Sequence, residues 1–483
     1  MHRYYRVRKA FAALVCALAL TAGCSFKSKD VTAPSWTGRD LPNVSVNAVV
    51  STTFSEAVTI DPDASTVTTS PDGRTTITRT GSFSVSGNTV SFTPDRPFNY
   101  GTTYTMVLRR IADSSGNSMA DVGLNFTTTS SAPSTYHGTP VATLDDDGTY
   151  NSIALSPDGT TYVSYFNRTD RSLNIIATTD SGTFQGPFRI DGPSGAEKVG
   201  EFSSLAADST GVLHIAYYHE GIGLKYAAAA DISGAWSVET VDNGGGSAVV
   251  GKYASIALDR SDGVHISYYD ETNTAVKYAT NIRGLWARST VDSGMPGENP
   301  GLYSSIKVDA GDVVHIAYYD AAPNMNLKYV NSTDWSPTAI DSTNQAGEFA
   351  SLQLDAGGNV YIFYNYVAGD VRLIRCITNA SGVWKHIDIT SIVDSAGANI
   401  TANPAVVDTR GIWHLSYYSG GILYYRSGVL FDAASNGWDW SPAIVVDNEG
   451  IGSGIYTSIA ANSNGKARIS YYDAVSRDLK LAF

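Results

Sequence analysis

The residues of this chain best suited to chemistry are carboxylates in predicted loops. Several stand close in sequence to tyrosines, among them Tyr253, Tyr303 and Tyr456. Carboxylates beside aromatic rings suit sugar hydroxyls, amines or a cation, and binding groups are commonly carried by loops on a rigid scaffold. We therefore predict that the ligand is contacted by five acids: Glu201, Asp270, Glu298, Asp320 and Glu348.

Other reactive side chains are predicted to be structural. Four histidines occupy one repeated position: His214, His265, His315 and His414. Equivalent positions of a ring of repeats lie far apart, so these four cannot converge on one metal as tetrahedral zinc requires. We expect each histidine to pack in its repeat and hydrogen-bond a neighbour. Tyrosine pairs such as Tyr268-Tyr269 are expected to present one ring to each neighbouring repeat, and Cys376 is expected to be a buried small residue.

Seven copies of one phrase position these residues. The clearest copy is Tyr253-Ala-Ser-Ile-Ala-Leu-Asp259 followed by His265-Ile-Ser-Tyr-Tyr-Asp270. The copies recur about every 50 residues, a period typical of all-β propeller blades. Aligned on the serine of Ser-Ile, they begin at Ser152, Ser204, Ser255, Ser305, Ser351, Pro404 and Ser458.

Each copy is interpreted as four short strands, A to D. In the third copy, strand A is predicted over residues 255–259, B over 264–269, C over 276–279 and D over 286–292. The D-to-A and B-to-C loops emerge on one face, around the channel mouth, where the five predicted acids lie. That face is expected to be acidic.

The end of the array predicts how the ring closes. The seventh copy ends after its strand C, and an unassigned strand-like segment, residues 138–145, precedes the first copy. If that segment completes the last blade, only short, protected edges remain. The predicted fold is therefore all-β: an Ig-like sandwich, then a seven-bladed propeller closed by an N-terminal strand.

The first residues predict export. Arg3, Arg6, Arg8 and Lys9 precede a short apolar run, too short to cross a bilayer, as in a secretory signal. Thr21-Ala-Gly-Cys24 resembles a bacterial lipobox. That resemblance implies cleavage after residue 23, acylation of Cys24 and anchoring to a membrane. Ser25, which is not Asp, implies the outer membrane of a Gram-negative cell.

The segment after the predicted tether has the two-residue period of an antiparallel sandwich. Val50-Ser-Thr-Thr-Phe-Ser-Glu-Ala-Val58, Val90-Ser-Phe-Thr-Pro94 and Tyr100-Gly-Thr-Thr-Tyr104 resemble the SbsA-type bacterial Ig-like domain, which implies a spacer or adhesion-associated module. Residues 112–117 are interpreted as a turn, not a metal loop. The predicted domains are a signal peptide (1–23), a lipidated tether (24–35), the Ig-like domain (36–129), a linker (130–136) and the propeller (137–483).

The net charge of the chain limits the classes of partner that are expected. The net charge is −13, and loss of the signal, which has four basic residues and no acidic ones, makes it more negative. Such a surface disfavours nucleic acid. No catalytic, metal or cofactor motif is identified, and calcium is the one ion left open. A monomer is expected.

The sequence thus predicts a non-catalytic envelope module that binds a glycan or a protein. Two alternatives stay open. One is a glycoside hydrolase or lyase that uses two loop carboxylates. Ser156-Pro-Asp-Gly-Thr-Thr-Tyr162 loosely resembles a sialidase box, but the arginine cluster of those enzymes has no repeat-wise counterpart. The other is a structural envelope protein without a ligand.

Overall fold

The computed structural model describes residues 30–70, 76–130, 139–140, 146–179, 183–246, 249–392, 404–432, 437–447 and 453–482. The predicted signal and Cys24 lie outside these residues. Every regular element in the described part of the chain is a strand.

Residues 41–128 form the Ig-like domain, whose strands alternate buried and exposed side chains, as in β10. Its sheets have the orders β1-β10-β8-β4-β5, β2-β7-β6 and β3-β9, with β1 parallel to β10. Phe92, Phe98, Tyr104 and Phe126 pack at its centre. The strands are β1 (Leu41–Val44), β2 (Val50–Thr53), β3 (Val58–Thr59), β4 (Thr66–Thr69), β5 (Ile77–Thr78), β6 (Gly81–Ser86), β7 (Thr89–Pro94), β8 (Thr103–Leu108), β9 (Ala112–Asp113) and β10 (Val122–Thr128).

The repeats fold as seven antiparallel sheets in the described residues. The short strand β11 (Thr139–Pro140) precedes them. Blades one to three are β12 (Asp147–Leu155), β13 (Thr161–Asn167), β14 (Ser172–Thr178) and β15 (Phe184–Asp191); β16 (Val199–Ala207), β17 (Leu213–His219), β18 (Gly223–Ala229) and β19 (Ser237–Asp242); β20 (Val250–Leu258), β21 (Val264–Asp270), β22 (Ala275–Thr280) and β23 (Ala287–Asp292).

Blades four to seven follow the same order, each with strand A innermost. They are β24 (Pro300–Val308), β25 (Val314–Asp320), β26 (Asn326–Asn331) and β27 (Thr338–Asp341); β28 (Gln345–Leu354), β29 (Val360–Ala368), β30 (Val371–Thr378) and β31 (Lys385–Ile392); β32 (Ala405–Val407), β33 (Trp413–Ser419), β34 (Ile422–Asp432), β35 (Gly437–Trp440) and β36 (Ile444–Asp447); β37 (Ser453–Ala461), β38 (Ala467–Asp473) and β39 (Asp478–Ala482). Blade six departs from four strands because β35 and β36 both pair with β34.

The ring closes as predicted. Strand β11 pairs with β39, with Thr139 opposite Leu481, so an N-terminal strand extends the last blade. Gly148 of blade one also approaches blade seven so closely that a Cβ there would lie 2.7 Å from the Cα of Leu479. The other residues of the predicted closing segment lie outside the described part of the chain.

Buried polar contacts join successive blades. Tyr268 donates to Oδ2 of Asp242, the last residue of strand D in the preceding blade, at 2.8 Å, and Lys277 bonds the same oxygen. On the other side, Tyr269 donates to Asn299 of the following blade, so the tyrosine pair serves both neighbours, as predicted. The equivalent buried contacts are Tyr217 to Asp191, Tyr318 to Asp292, Tyr364 to Asp341 and Tyr471 to Asp447.

The Ig-like domain packs against blade six. The side-chain amide of Asn99 donates to the carbonyl oxygens of Ser427 and Asp439, both at 3.0 Å. Nη1 of Arg96 donates to the carbonyl oxygen of Leu430 at 2.9 Å. An apolar cluster of Val46, Tyr100, Ile412 and Val429 spans the same border. This contact buries Asn99 and the apolar cluster between the two domains.

Candidate functional site

Strand A of the blades begins earlier than the sequence predicts, and this extra part builds the site. In the third blade, β20 starts at Val250, not at Ser255. Between Lys252 and Ser255 the strand carries one more residue than its partner, which is a β-bulge. The bulge places Tyr253 at φ 51°, in the left-handed region that bulky residues rarely adopt.

Six of the seven blades repeat this bulge with an aromatic residue, always two positions before the Ser-Ile serine. Their φ angles lie between 51° and 56°. Strained backbone that recurs at one position is an observation that points towards function. The residues are Tyr150, Phe202, Tyr253, Tyr303, Phe349 and Tyr456. We call these six side chains the aromatic belt.

Neighbouring rings of the aromatic belt touch around the mouth of the central channel. Ring centroids lie 4.8 Å apart for Tyr456 and Tyr150, 4.5 Å for Tyr150 and Phe202, and 4.3 Å for Tyr303 and Phe349. The remaining adjacent pairs, on either side of Tyr253, lie at 4.6 and 4.8 Å. The belt lines an open cavity of about 320 Å³.

The Ser-Ile serines lie below the belt and join the blades. The backbone N–H of Leu205 donates to Oγ of Ser152 at 3.0 Å, and Ile256 donates to Ser204 at 3.1 Å. The same bond follows Ser255, Ser305, Ser351 and Ser458. Pro404 has no hydroxyl, so blade six offers its neighbour no such bond. These hydroxyls hold the blades together, which is a structural use of serine.

A second cavity adjoins the belt where blades seven, one and two meet, and we call it the basic groove. It measures about 710 Å³ and shares Tyr150 and Tyr456 with the belt. Its charged lining residues are Arg168, Arg171, Lys198, Arg477, Asp146 and Glu201. Basic side chains outnumber acidic ones, so this part of the mouth is not the acidic surface that the sequence predicts.

Two of the five predicted acids lie beside the belt. Glu201 precedes Phe202, is paired with Lys198 at 3.1 Å, and influences Tyr150 electrostatically. Glu348 precedes Phe349 and accepts a hydrogen bond of 2.9 Å from the amide of Gln345. Burial raises the pKa of Glu348, an effect that Gln345 and Arg372 oppose.

The other three predicted acids are engaged in turns. Asp270 accepts from the backbone and amide of Asn273 at 3.0 and 2.9 Å. Asp320, fully buried, accepts from the backbone N–H of Asn299 at 3.0 Å. Hydrogen bonds from the backbone of Met295 and from Lys328 lower the pKa of Glu298 despite its burial. Ligand contact by these five acids stays a prediction.

The histidines and Cys376 occupy structural positions. Nδ1 of His265 shares a hydrogen bond of 2.6 Å with the Tyr278 hydroxyl, and its Nε2 lies 3.2 Å from Asp259. His214, His315 and His414 bond the equivalent tyrosines, which confirms that each histidine packs within its own blade. Cys376 is fully buried, and burial raises the pKa of its thiol, so the expectation of a buried small residue is confirmed.

Residues 112–117 form the predicted turn. Oδ1 of Asp113 accepts from the backbone N–H groups of Ser115 and Asn117 at 2.8 and 2.9 Å. Asp30 and Glu56 approach Asp113 closely enough for the three acids to meet around an ion. The Asp113 carboxylate is engaged by its own turn, which is the structural role that the sequence predicts.

Sequence reasoning found half of the belt and missed the basic groove. Tyr253, Tyr303 and Tyr456 were identified next to the acids, but Tyr150, Phe202 and Phe349 were not. The signal was present, since an aromatic residue stands two positions before the repeat serine in six copies. The groove had a weaker signal, because Arg171 and Arg477 share one repeat position in blades one and seven only, and Arg168 and Lys198 come from two other positions.

Comparison with known proteins agrees with this architecture. Residues 35–128 match the family model described as a bacterial Ig-like domain. That segment is a bacterial Ig-like domain. No curated protein matches the chain in sequence. No helix in the described residues is long and apolar enough to span a membrane.

Solved structures resemble the chain in fold. An ulvan lyase from a new family of polysaccharide lyases shares 14% identity over 71% of this chain and 95% of its own, with a TM-score of 0.50. The Aleuria aurantia lectin shares 13% identity over 62% of this chain and 97% of its own, with a TM-score of 0.41. A Hadza microbial sialidase shares 11% identity over 92% and 98%, with a TM-score of 0.38. At these identities the likeness concerns the fold alone.

Proposed function

We propose that this protein is a non-catalytic glycan-binding module of the bacterial cell envelope, with the aromatic belt as its binding surface. The observation that carries the proposal is the continuous belt of six touching rings. Each ring lines an open cavity and is carried by a residue with a strained, left-handed backbone. Binding pockets are typically concave, largely apolar and equipped with a few polar groups.

Sugar chemistry suits this surface. One face of a pyranose ring carries mostly C–H groups, which stack on aromatic rings, while its hydroxyls reach the rim. Glu201 and Glu348 stand at that rim next to belt residues. Rings joined to one another lose little conformational freedom on binding, which favours affinity. A protein ligand fits less well, because a cavity of about 320 Å³ admits one or two sugar rings or a single side chain.

Removing one ring tests the proposal. Binding of the purified chain to a glycan array should be weakened about three- to tenfold by Tyr303→Leu. Leu285→Ala, which removes an exposed apolar side chain from a C-to-D turn, should bind like the original protein. Melting temperatures of both variants would verify that they are folded. Equal binding by Tyr303→Leu and the original protein would exclude the belt as the site.

One observation keeps an enzyme as the second candidate. A glycoside hydrolase needs a carboxylic acid with a raised pKa, and Glu348 has this property because it is partly buried. A glycoside hydrolase also uses a second carboxylate. The two side chains that lower the pKa of Glu348, Gln345 and Arg372, do not supply one. Cleavage of an array glycan by the original protein, lost in Glu348→Gln, would establish this alternative.

The finer assignments belong to the same proposal. The lipobox-like Thr21-Ala-Gly-Cys24 supports a lipid anchor on Cys24 and an outer-membrane location. The SbsA-type resemblance of the Ig-like domain supports an extracytoplasmic role. In this arrangement the domain fixes the orientation of the propeller through blade six, and the propeller presents the belt to its ligand.

A further inference from the structure

The basic groove is a local reversal of charge on an acidic protein. The chain has a net charge of −13. At the groove, however, four basic side chains converge from three blades, all of them exposed: Arg168, Arg171, Lys198 and Arg477. Like charges brought together repel each other, so their convergence is costly unless an anion compensates for it.

The acids of the groove leave part of this charge uncompensated. Arg168 pairs with Asp146 at 3.3 Å, and Lys198 pairs with Glu201 at 3.1 Å. Among the described residues, the hydrogen-bond acceptor of the Arg171 guanidinium is the carbonyl oxygen of Ala196, at 2.6 Å. The guanidinium of Arg477 has no ion pair with any carboxylate in the described part of the chain. Two arginine forks are therefore available to an incoming anion.

The groove is continuous with the belt. Tyr150 and Tyr456 line both cavities, and their rings lie 4.8 Å apart. A further aromatic residue, Tyr472, donates to Oδ1 of Asp146 at 2.6 Å and so fixes the acid that holds Arg168. A ligand stacked on Tyr150 and Tyr456 would project its substituents towards the free arginines.

We infer that the basic groove binds the acidic group of an anionic sugar, a carboxylate or a sulfate ester, whose ring stacks on Tyr150 and Tyr456. This inference rests on the proposed glycan-binding function and names its substrate class. The guanidiniums of Arg171 and Arg477 bind the anion. The pairs Arg168–Asp146 and Lys198–Glu201, each neutral overall, form the walls, and Arg171 and Arg477 set the sign of the local field.

The charge is specific to this part of the mouth. Around the belt at blade three, Lys252 is paired with Glu271. At blade five, Glu348 stands beside the rings, and the charge of Arg372 opposes the rise in its pKa. A neutral sugar could stack anywhere on the belt, whereas an acidic sugar is directed to the basic groove at blades seven, one and two.

A glycan array that carries neutral, uronate-bearing, sialylated and sulfated glycans tests the inference with the full chain. Acidic glycans should bind, and the binding should weaken steeply with added salt. Arg477→Gln and Arg171→Gln should each weaken binding about tenfold. Arg283→Gln removes the same charge from an exposed turn of blade three and should have no effect. The separate uronate and sulfate sets identify the acidic group.

The other outcomes are distinct. If acidic glycans bind no better than neutral ones, and Arg477→Gln binds acidic glycans as the original protein does, this inference is overturned while glycan binding stands. If no glycan on the array binds, the proposed function fails, and the inference fails with it. If polyglutamate competes as well as acidic glycans, the groove binds anions without recognising a sugar ring, which also overturns the inference.

Discussion

The hydroxyl of Tyr104, in strand β8 of the Ig-like domain, donates a hydrogen bond of 2.7 Å to Oδ2 of Asp439 in blade six. The same hydroxyl accepts from the backbone N–H of Asn99 at 2.9 Å, and both side chains are fully buried. Buried polar groups must be satisfied locally, so this contact ties the two domains into one packed unit.

Removing that hydroxyl should weaken the whole chain. Tyr104→Phe leaves the Asp439 carboxylate and the Asn99 N–H without this partner, at a cost of about 1–3 kcal/mol in the free energy of unfolding. Thr103 lies in the same strand as Tyr104, and Thr103→Ala, which breaks an exposed bond of 2.9 Å to Thr127 of β10, should cost less than about 0.5 kcal/mol. Chemical denaturation measures both, and equal losses would contradict a coupling between the domains.

The close approach of Gly148 to Leu479 predicts how strongly ring closure contributes to stability. Gly148→Ala combines a φ of 111° with a contact of 2.7 Å, and should cost about 3–5 kcal/mol. Gly159→Ala has a comparable φ of 88° but open space around the new Cβ, and should cost only about 1 kcal/mol. Similar melting temperatures for the two variants would show that blades one and seven do not depend on this contact.

Acid should destabilise the propeller through the inter-blade carboxylates. Burial alone would raise the pKa of Asp242, but hydrogen bonds from Lys277, Tyr268 and the backbone of Gly244 lower it below its usual value. The stabilisation is therefore present above about pH 4 and is lost as the pH falls through the lowered pKa.

Asp242→Asn should lower the free energy of unfolding at pH 7 by about 1.5–3 kcal/mol and should make the melting temperature less dependent on pH between 5 and 2. Asp121→Asn, in an exposed pair with Arg109, should change both quantities little. An unchanged pH dependence in Asp242→Asn would assign acid unfolding to other groups.

Lys307 should be a destabilising residue. Burial lowers the pKa of its ammonium, so this lysine costs the folded chain stability below the ordinary pKa of lysine, and the cost fades as the pH rises towards that value. Blades one, two, three and seven carry alanine at the same position: Ala154, Ala206, Ala257 and Ala460. Lys307→Ala should therefore raise the melting temperature at pH 7 and have a smaller effect near pH 11. A lower melting temperature at pH 7 would indicate a favourable role for the ammonium.

The proposed anchor predicts a defined mature N-terminus. Mass spectrometry of the protein from membranes should find chains that begin at Cys24 and carry acyl groups, and Cys24→Ser should abolish both. Chains that begin elsewhere, or an unmodified Cys24, would remove the lipid anchor from the proposal.

The sequence by itself determined the repeat, its strands and the closure of the ring. A two-residue period decides which side chains are buried, and a blade-length repeat leaves few architectures. It also determined the roles of residues such as His265, because these depend on contacts within one blade or with the next one.

Only the tertiary structure decided what lies around the channel mouth. The bulge that turns Tyr253 and Phe202 towards each other depends on the pairing of strand A with strand B, which composition does not encode. Arg171 and Arg477 are far apart in the chain and line one groove because the ring places blades one and seven side by side. Contacts that follow the repeat recur from blade to blade, so sequence reveals them, whereas the set of side chains that lines one groove depends on the arrangement of the blades and has no such pattern.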